Sequence, residues 1–167
     1  GSQLDQANAL VEGVYREYLI VGGSHSADGD VPKNHGMSDL WVLKIDTRGY
    51  PRLNQVIGGK RSDWGTAVSL CQNGDYLIAG FTNSPMSRAA AASIYGSGLL
   101  LRMTQSGVVT WKREITSPQG GYFEDVTELP DGRIVLVGHR QAETGDNDFW
   151  WMLLNQRGKI LRELSPP

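Results

Sequence analysis

The sequence predicts an all-β fold built from three four-stranded antiparallel repeats. Three observations predict it. The phrase YLIVGG at Tyr18–Gly23 returns as YLIAGF at Tyr76–Phe81 and as IVLVGH at Ile134–His139. Gly22, Gly80 and Gly138 within these phrases are spaced 58 residues apart. A second landmark follows each phrase: LWVLKIDTRG ending at Gly49, LLLRMTQSG at Gly107 and WWMLLNQRG at Gly158. Its spacing is 58 and then 51, so seven residues are missing from the third unit, between the landmarks. Fixed strand spacing with loops of variable length is the signature of a repeat architecture. The units run over about 3–60, 61–116 and 117–165 of a single repeat domain.

Each unit reads as four short strands. The first strand covers Asn8–Glu12, Thr66–Cys71 and Glu124–Leu129. The second is the recurring phrase. The third covers Leu40–Asp46, Leu99–Thr104 and Phe149–Asn155, and the fourth Leu53–Ile57, Val108–Glu114 and Lys159–Leu164. Asn73-Gly74 and Asp131-Gly132 are hairpin dipeptides suited to positive φ, and they join the first strand to the second. DTRG, TQSG and NQRG close the third strand onto the fourth, with Gly where the left-handed region is needed. The second and third strands are apolar almost continuously, as in VLKI, LLLRM and WWMLL. Such a strand is buried on both faces, so each small sheet must lie between neighbours. Stacked four-stranded sheets covered on both faces are β-propeller blades.

The pattern running from Asp131-Gly132-Arg133-Ile134 through Gly138, then Asp148-Phe149-Trp150 to Gly158, resembles the bacterial propeller-type repeats of about sixty residues, the delta-sixty repeats, with a looser likeness to kelch. DGDVPKNHGMSDLW and IGGKRSDWGTAV in the first unit fit the same class. The resemblance spans nearly the whole chain and implies blades. It implies little about function, because a fold hosts many functions. Three blades do not make a ring, since propellers typically have about four to eight. The open alternatives are a piece of a larger propeller, two chains pairing into a six-bladed ring, and closure as a β-trefoil.

Composition narrows the partners. The chain has 167 residues, 40% hydrophobic and 20% charged, with a net charge of −2. That balance favours neither nucleic acid nor an anionic membrane surface. No apolar run approaches the roughly 18 residues of a membrane span. The single Cys71 cannot form an internal disulfide, and at the end of an apolar strand it reads as a small core residue. Gly1-Ser2 reads as a cleavage scar. The expectation is a periplasmic or extracellular bacterial protein, rather than a cytoplasmic one, whose signal segment has been removed.

Candidate site residues follow from departures within the repeat. The loop DGDVPKNHG offers Asp28, Asp30 and Asn34 as alternating oxygen ligands, the pattern of a calcium loop, but lacks its closing Glu. No other cofactor is expected. His25, His35 and His139 have no zinc-ligand spacing, and no nucleophile elbow, phosphate loop or paired-carboxylate motif is present. Trp41 and Trp150 occupy equivalent positions and read as fillers between blades. Trp64 and Tyr122 share a register just before the first strand of their units, where rim aromatics anchor sugars or proteins. The loop Ser84–Gly98 breaks the repeat, and Met86, Arg88, Ile94 and Tyr95 give it an apolar surface with one charge. The expected function is therefore a non-enzymatic binding module. Its expected partner is another protein, in an inhibitor or immunity role. A carbohydrate-binding, lectin-like propeller is the alternative, and an enzyme comes third.

Overall fold

The computed structural model describes residues 1–85 and 95–164. It contains twelve strands in three separate sheets. The first comprises β1 (Asp5–Glu12), β2 (Tyr18–Ser24), β3 (Asp39–Ile45) and β4 (Pro51–Ile57). The second comprises β5 (Asp63–Leu70), β6 (Tyr76–Thr82), β7 (Ser97–Met103) and β8 (Val109–Ile115). The third comprises β9 (Gly121–Glu128), β10 (Ile134–Gln141), β11 (Asn147–Leu154) and β12 (Ile160–Leu164). Within each sheet the strands pair antiparallel in chain order, as the repeat predicts. Among the described residues there is no helix, and so none long and apolar enough to cross a membrane.

The turn glycines do what their positions require. Gly74 and Gly132 take φ of 87° and 80°, and Gly49, Gly107 and Gly158 lie at 83°, 89° and 73°. Without a Cβ these values cost little. The first unit has no glycine at the position of Gly74. Arg16 stands there with φ of 57°, in the left-handed region a side chain disfavours. The seven-residue deletion falls between β10 and β11, which a tight turn from Ala142 to Asp146 connects.

Each first strand carries a bulge at the same place, at Asn8, Thr66 and Glu124. Bulges increase local twist and re-aim a side chain. In the first two sheets they aim the bulged residue at the next sheet. Asn8 Nδ2 donates to Gly65 O at 2.7 Å, and Thr66 Oγ1 donates to Phe123 O at 2.5 Å. The sheets stack in sequence, β5 packing on β1, β2 and β3, and β9 on β5, β6 and β7. Among the described residues the isolated bridge Ser38–Ser62 is the one β-pairing between sheets.

Two apolar seams form the core. The first joins Leu19, Val21, Leu40 and Val42 to Tyr76, Ile78, Leu99, Leu101 and Met103. The second joins Ala67, Cys71, Leu77, Ala79 and Leu100 to Phe123, Leu136, Trp150, Met152 and Leu154. Cys71 is buried, and that burial pushes its thiol up to about 12, as befits a small core residue. β6 and β7 are buried on both faces, as their continuous apolar runs predict. β11 instead alternates buried with half-buried residues over its second half, because among the described residues no sheet packs on the far face of the third.

Candidate functional site

A carboxylate clamp recurs at the start of the first strand in two units. In the first, Asp5 accepts from Ser24 Oγ and from Ser26 Oγ, the latter at 3.0 Å. In the second, Asp63 accepts from Thr82 Oγ1 and from Ser84 Oγ, the latter at 2.7 Å. These residues sit 58 apart and tie the first strand to the end of the second. The third unit has Gly121, Arg140 and Ala142 at the same places. None of these can remake the clamp, and two hollows lie beside these residues.

The first hollow has a volume of about 300 Å³ and lies between the second and third sheets. Phe81, Tyr95, Tyr122 and His139 line it with rings, and Gln119, Gln141 and Asn147 with carboxamides. Tyr122 meets His139 edge to face, with centroids 3.9 Å apart. His139 Nδ1 lies 3.7 Å from Glu124 Oε1. Burial, and then the Glu124 carboxylate, pushes the Tyr122 phenol up from its ordinary value. Tyr95 lies so close to Gly120 that a Cβ there would come within 2.6 Å of Tyr95 Cβ. The adjoining hollow, of about 330 Å³, shares Gln119 and Gln141 and adds Arg140, Asp148 and Ser117. Ser117 Oγ is buried without a hydrogen-bond partner among the described residues. Aromatic faces beside carboxamides hold a ligand by stacking and hydrogen bonding.

Two of the sequence-derived candidates, Tyr95 and Tyr122, thus share one cavity. Met86, Arg88 and Ile94 lie outside the described residues. Trp64 is placed elsewhere. It lies inside β5, half-buried, with its ring against Gly23, where a Cβ would come within 2.3 Å of Trp64 Cε3. Its Nε1 donates to Ser38 Oγ at 2.8 Å. Trp64 is thereby part of the first seam. Trp150 fills the second seam, stacked on Phe123 at 4.9 Å, whereas Trp41 lies half-exposed with its Nε1 donating to Asn54 Oδ1.

The oxygen-rich loop is braced by its own hydrogen bonds. Asp28 Oδ1 accepts from Ser2 N, and the backbone carbonyl of Asp30 accepts from Asn54 Nδ2. Asn34 is engaged at both ends of its amide, donating to Ser24 O and accepting from Gly36 N. Among the described residues no group of three or more His, Cys, Asp or Glu is placed to hold a metal ion.

Sequence reasoning missed Gly121, His139, Gln141 and Asn147 as site residues. The signal was present as the loss of Asp and its two hydroxyl partners from the third unit, visible once the clamp is known. No protein-family model matches the chain, and no curated protein matches it in sequence.

Proposed function

We propose that this protein is a non-enzymatic binding module whose contact site is the aromatic hollow at Tyr95, Tyr122 and His139. One observation carries the reading. The repeat gives up its Asp–hydroxyl clamp in the third unit alone, and the hollows lie where the clamp is lost. The hollow at that place is lined by four rings and three carboxamides, groups that can take up a partner's side chain. The occupant is an apolar or aromatic side chain of a partner protein, with Gln119, Gln141 and Asn147 bonding its backbone. An inhibitor or immunity role, in which the partner is an enzyme blocked by this contact, extends the reading on the strength of the resemblance to propeller-type repeats.

A carbohydrate ligand is the second reading. Its support is the three carboxamides beside stacked rings, groups that match sugar hydroxyls. Tyr122→Ala separates the two. Loss of a purified protein partner, with thermal unfolding unchanged, supports the protein-binding reading. Loss of binding on a glycan array in the same variant supports the carbohydrate reading. Partner and glycan binding that both survive Tyr122→Ala and His139→Ala place the contact elsewhere and overturn the site.

A further inference from the structure

Six positions face the preceding sheet in every unit. In the second sheet they are Val68, Tyr76, Ile78, Leu99, Leu101 and Met103, all packed in the first seam. In the third they are Val126, Ile134, Leu136, Trp150, Met152 and Leu154, all buried in the second seam. In the first sheet the same positions hold Leu10, Tyr18, Ile20, Trp41, Leu43 and Ile45. Among the described residues no sheet packs on them, yet every one is apolar or aromatic, and Leu10 is 65% exposed. The opposite end of the stack is alike. The far face of the third sheet presents Val135, Val137, Phe149, Trp151, Leu153 and Leu164 at its centre, with Phe149 55% exposed, and Asp125, Thr127 and Arg162 on its outer strands. The two central strands of each outer face carry the apolar side chains that pack a seam elsewhere in the stack.

The two internal seams also follow a rule of size. In the first seam Leu40 lies over Gly65, where a Cβ would come within 2.4 Å of Leu40 Cδ1. In the second, Phe123 lies over Gly98, where a Cβ would come within 2.3 Å of Phe123 Cε2. Gly65 and Phe123 are the same repeat position on the incoming strand. Leu40 and Gly98 are the same position on the receiving sheet. A bulky residue on one side meets glycine on the other, and the side alternates. The next pair in the series is Phe149 on the receiving face of the third sheet and Ala7 on the incoming face of the first. It is bulky against small, and both residues are exposed.

We propose that a second copy of this chain covers both ends. The far face of the third sheet of each copy packs on the leading face of the first sheet of the other. The two seams are related by a twofold axis and close six sheets into a ring. One partner species satisfies both faces because each is the repeat-frame complement of the other, and six blades fall within the usual range. The closing seams differ from the internal ones in polarity. Asn8 and Thr66 donate across the internal seams, as do Gln55 to Gly107 O and Arg113 to Arg157 O. On the third sheet the equivalent residues are Glu124 and Leu164. An ionised carboxylate and an alkyl group donate nothing. The closing seams therefore lack these two donors from the third sheet.

The test is the mass of the purified chain by light scattering over a dilution series, with two variants at exposed positions, Ala7→Trp and Phe149→Arg. The expected mass is twice the 18.3 kDa of the chain, falling to one chain in each variant with secondary structure retained. A wild-type monomer overturns the proposal. So does a mass that keeps growing with concentration, which marks an open fibre. A dimer that survives either substitution pairs like faces, and that also overturns it.

Discussion

The two internal seams perform the same task with exchanged parts. In the first, the receiving sheet supplies the bulk, Leu40, and the incoming strand supplies Gly65. In the second, the receiving sheet supplies Gly98 and the incoming strand supplies Phe123, which also stacks on Trp150. The polar ties differ in the same spirit. Lys44 pairs with Glu17 in its own sheet and donates across the first seam to Gln105 O, both at 2.8 Å. Arg102 pairs with Asp75 in its own sheet but reaches across the second seam to a charge, Glu128, at 3.3 Å. The first seam also buries an acid pair, Asp39 and Asp63, where the second has Ser97 and Gly121. What persists from seam to seam is the sum of volumes and the reach of one cation, and the identity of each residue is free to change. Close packing requires this, because a seam tolerates neither a void nor an overlap.

Removing the cations is expected to expose the largest difference. Arg102→Met strands Glu128 and Asp75, both mostly buried, and is expected to cost about 1.5–3 kcal/mol in denaturant unfolding. Lys44→Met strands Glu17 in its own sheet but leaves only a neutral carbonyl unbonded across the seam, and is expected to cost less, about 1–2 kcal/mol. Equal losses would show that the charge of Glu128 adds nothing to the second seam.

The acid pair makes the first seam the pH-sensitive one. Burial, opposed by the His35 backbone N–H and ring and reinforced by Asp63, holds the Asp39 carboxyl above its ordinary value. Its Oδ1 is buried with no hydrogen-bond partner among the described residues. A carboxyl raised in the folded state holds its proton longer there than in the unfolded chain. Its contribution is most favourable below the unfolded value and is lost as pH rises through the raised one. Asp39→Asn is therefore expected to gain melting temperature relative to the parent chain as pH is raised through that window. A difference that stays constant with pH would remove Asp39 as the cause.

The smallest effect concerns the turns. Gly74 takes the left-handed conformation freely, whereas Arg16 takes it at a cost. Arg16→Gly is expected to stabilise the first sheet by about 1 kcal/mol. No gain in unfolding free energy would show that the Arg16 side chain offsets the strain.

Much of the fold was legible because its punctuation is glycine. The 58-residue spacing of Gly22, Gly80 and Gly138 located the second strands, and the turn glycines placed the fourth. The first strands begin earlier than the pattern showed, at Asp5, Asp63 and Gly121. A polar or glycine start reads as a turn, but the carboxylates of Asp5 and Asp63 are satisfied by hydroxyls at the end of the adjacent strand and two residues past it, a partnership invisible in a linear pattern. That same partnership hid the site. Tyr122 was noticed for its ring, and Tyr95 for its irregular loop. His139 and Gln141 lie in an ordinary β10 and become site residues only because the fold brings Phe81, Tyr95 and Tyr122 to the same hollow. Trp64 illustrates the converse. Its register with Tyr122 marked it as a rim aromatic, yet Gly23 beneath it draws the ring into the seam.

The central claim is that each seam is set by a complementary pair of sizes rather than by particular residues. Transplanting the first pair into the second seam tests it most directly. Gly98→Leu alone overpacks against Phe123 and is expected to cost at least about 1–3 kcal/mol. Phe123→Gly alone leaves a cavity against Gly98 and is expected to cost about 3–5 kcal/mol. The double variant rebuilds the Leu40–Gly65 pair one seam along. Denaturant unfolding of all four proteins should show the double variant recovering about 2 kcal/mol or more of the summed loss. A double variant whose loss equals the sum of the two singles would contradict the account.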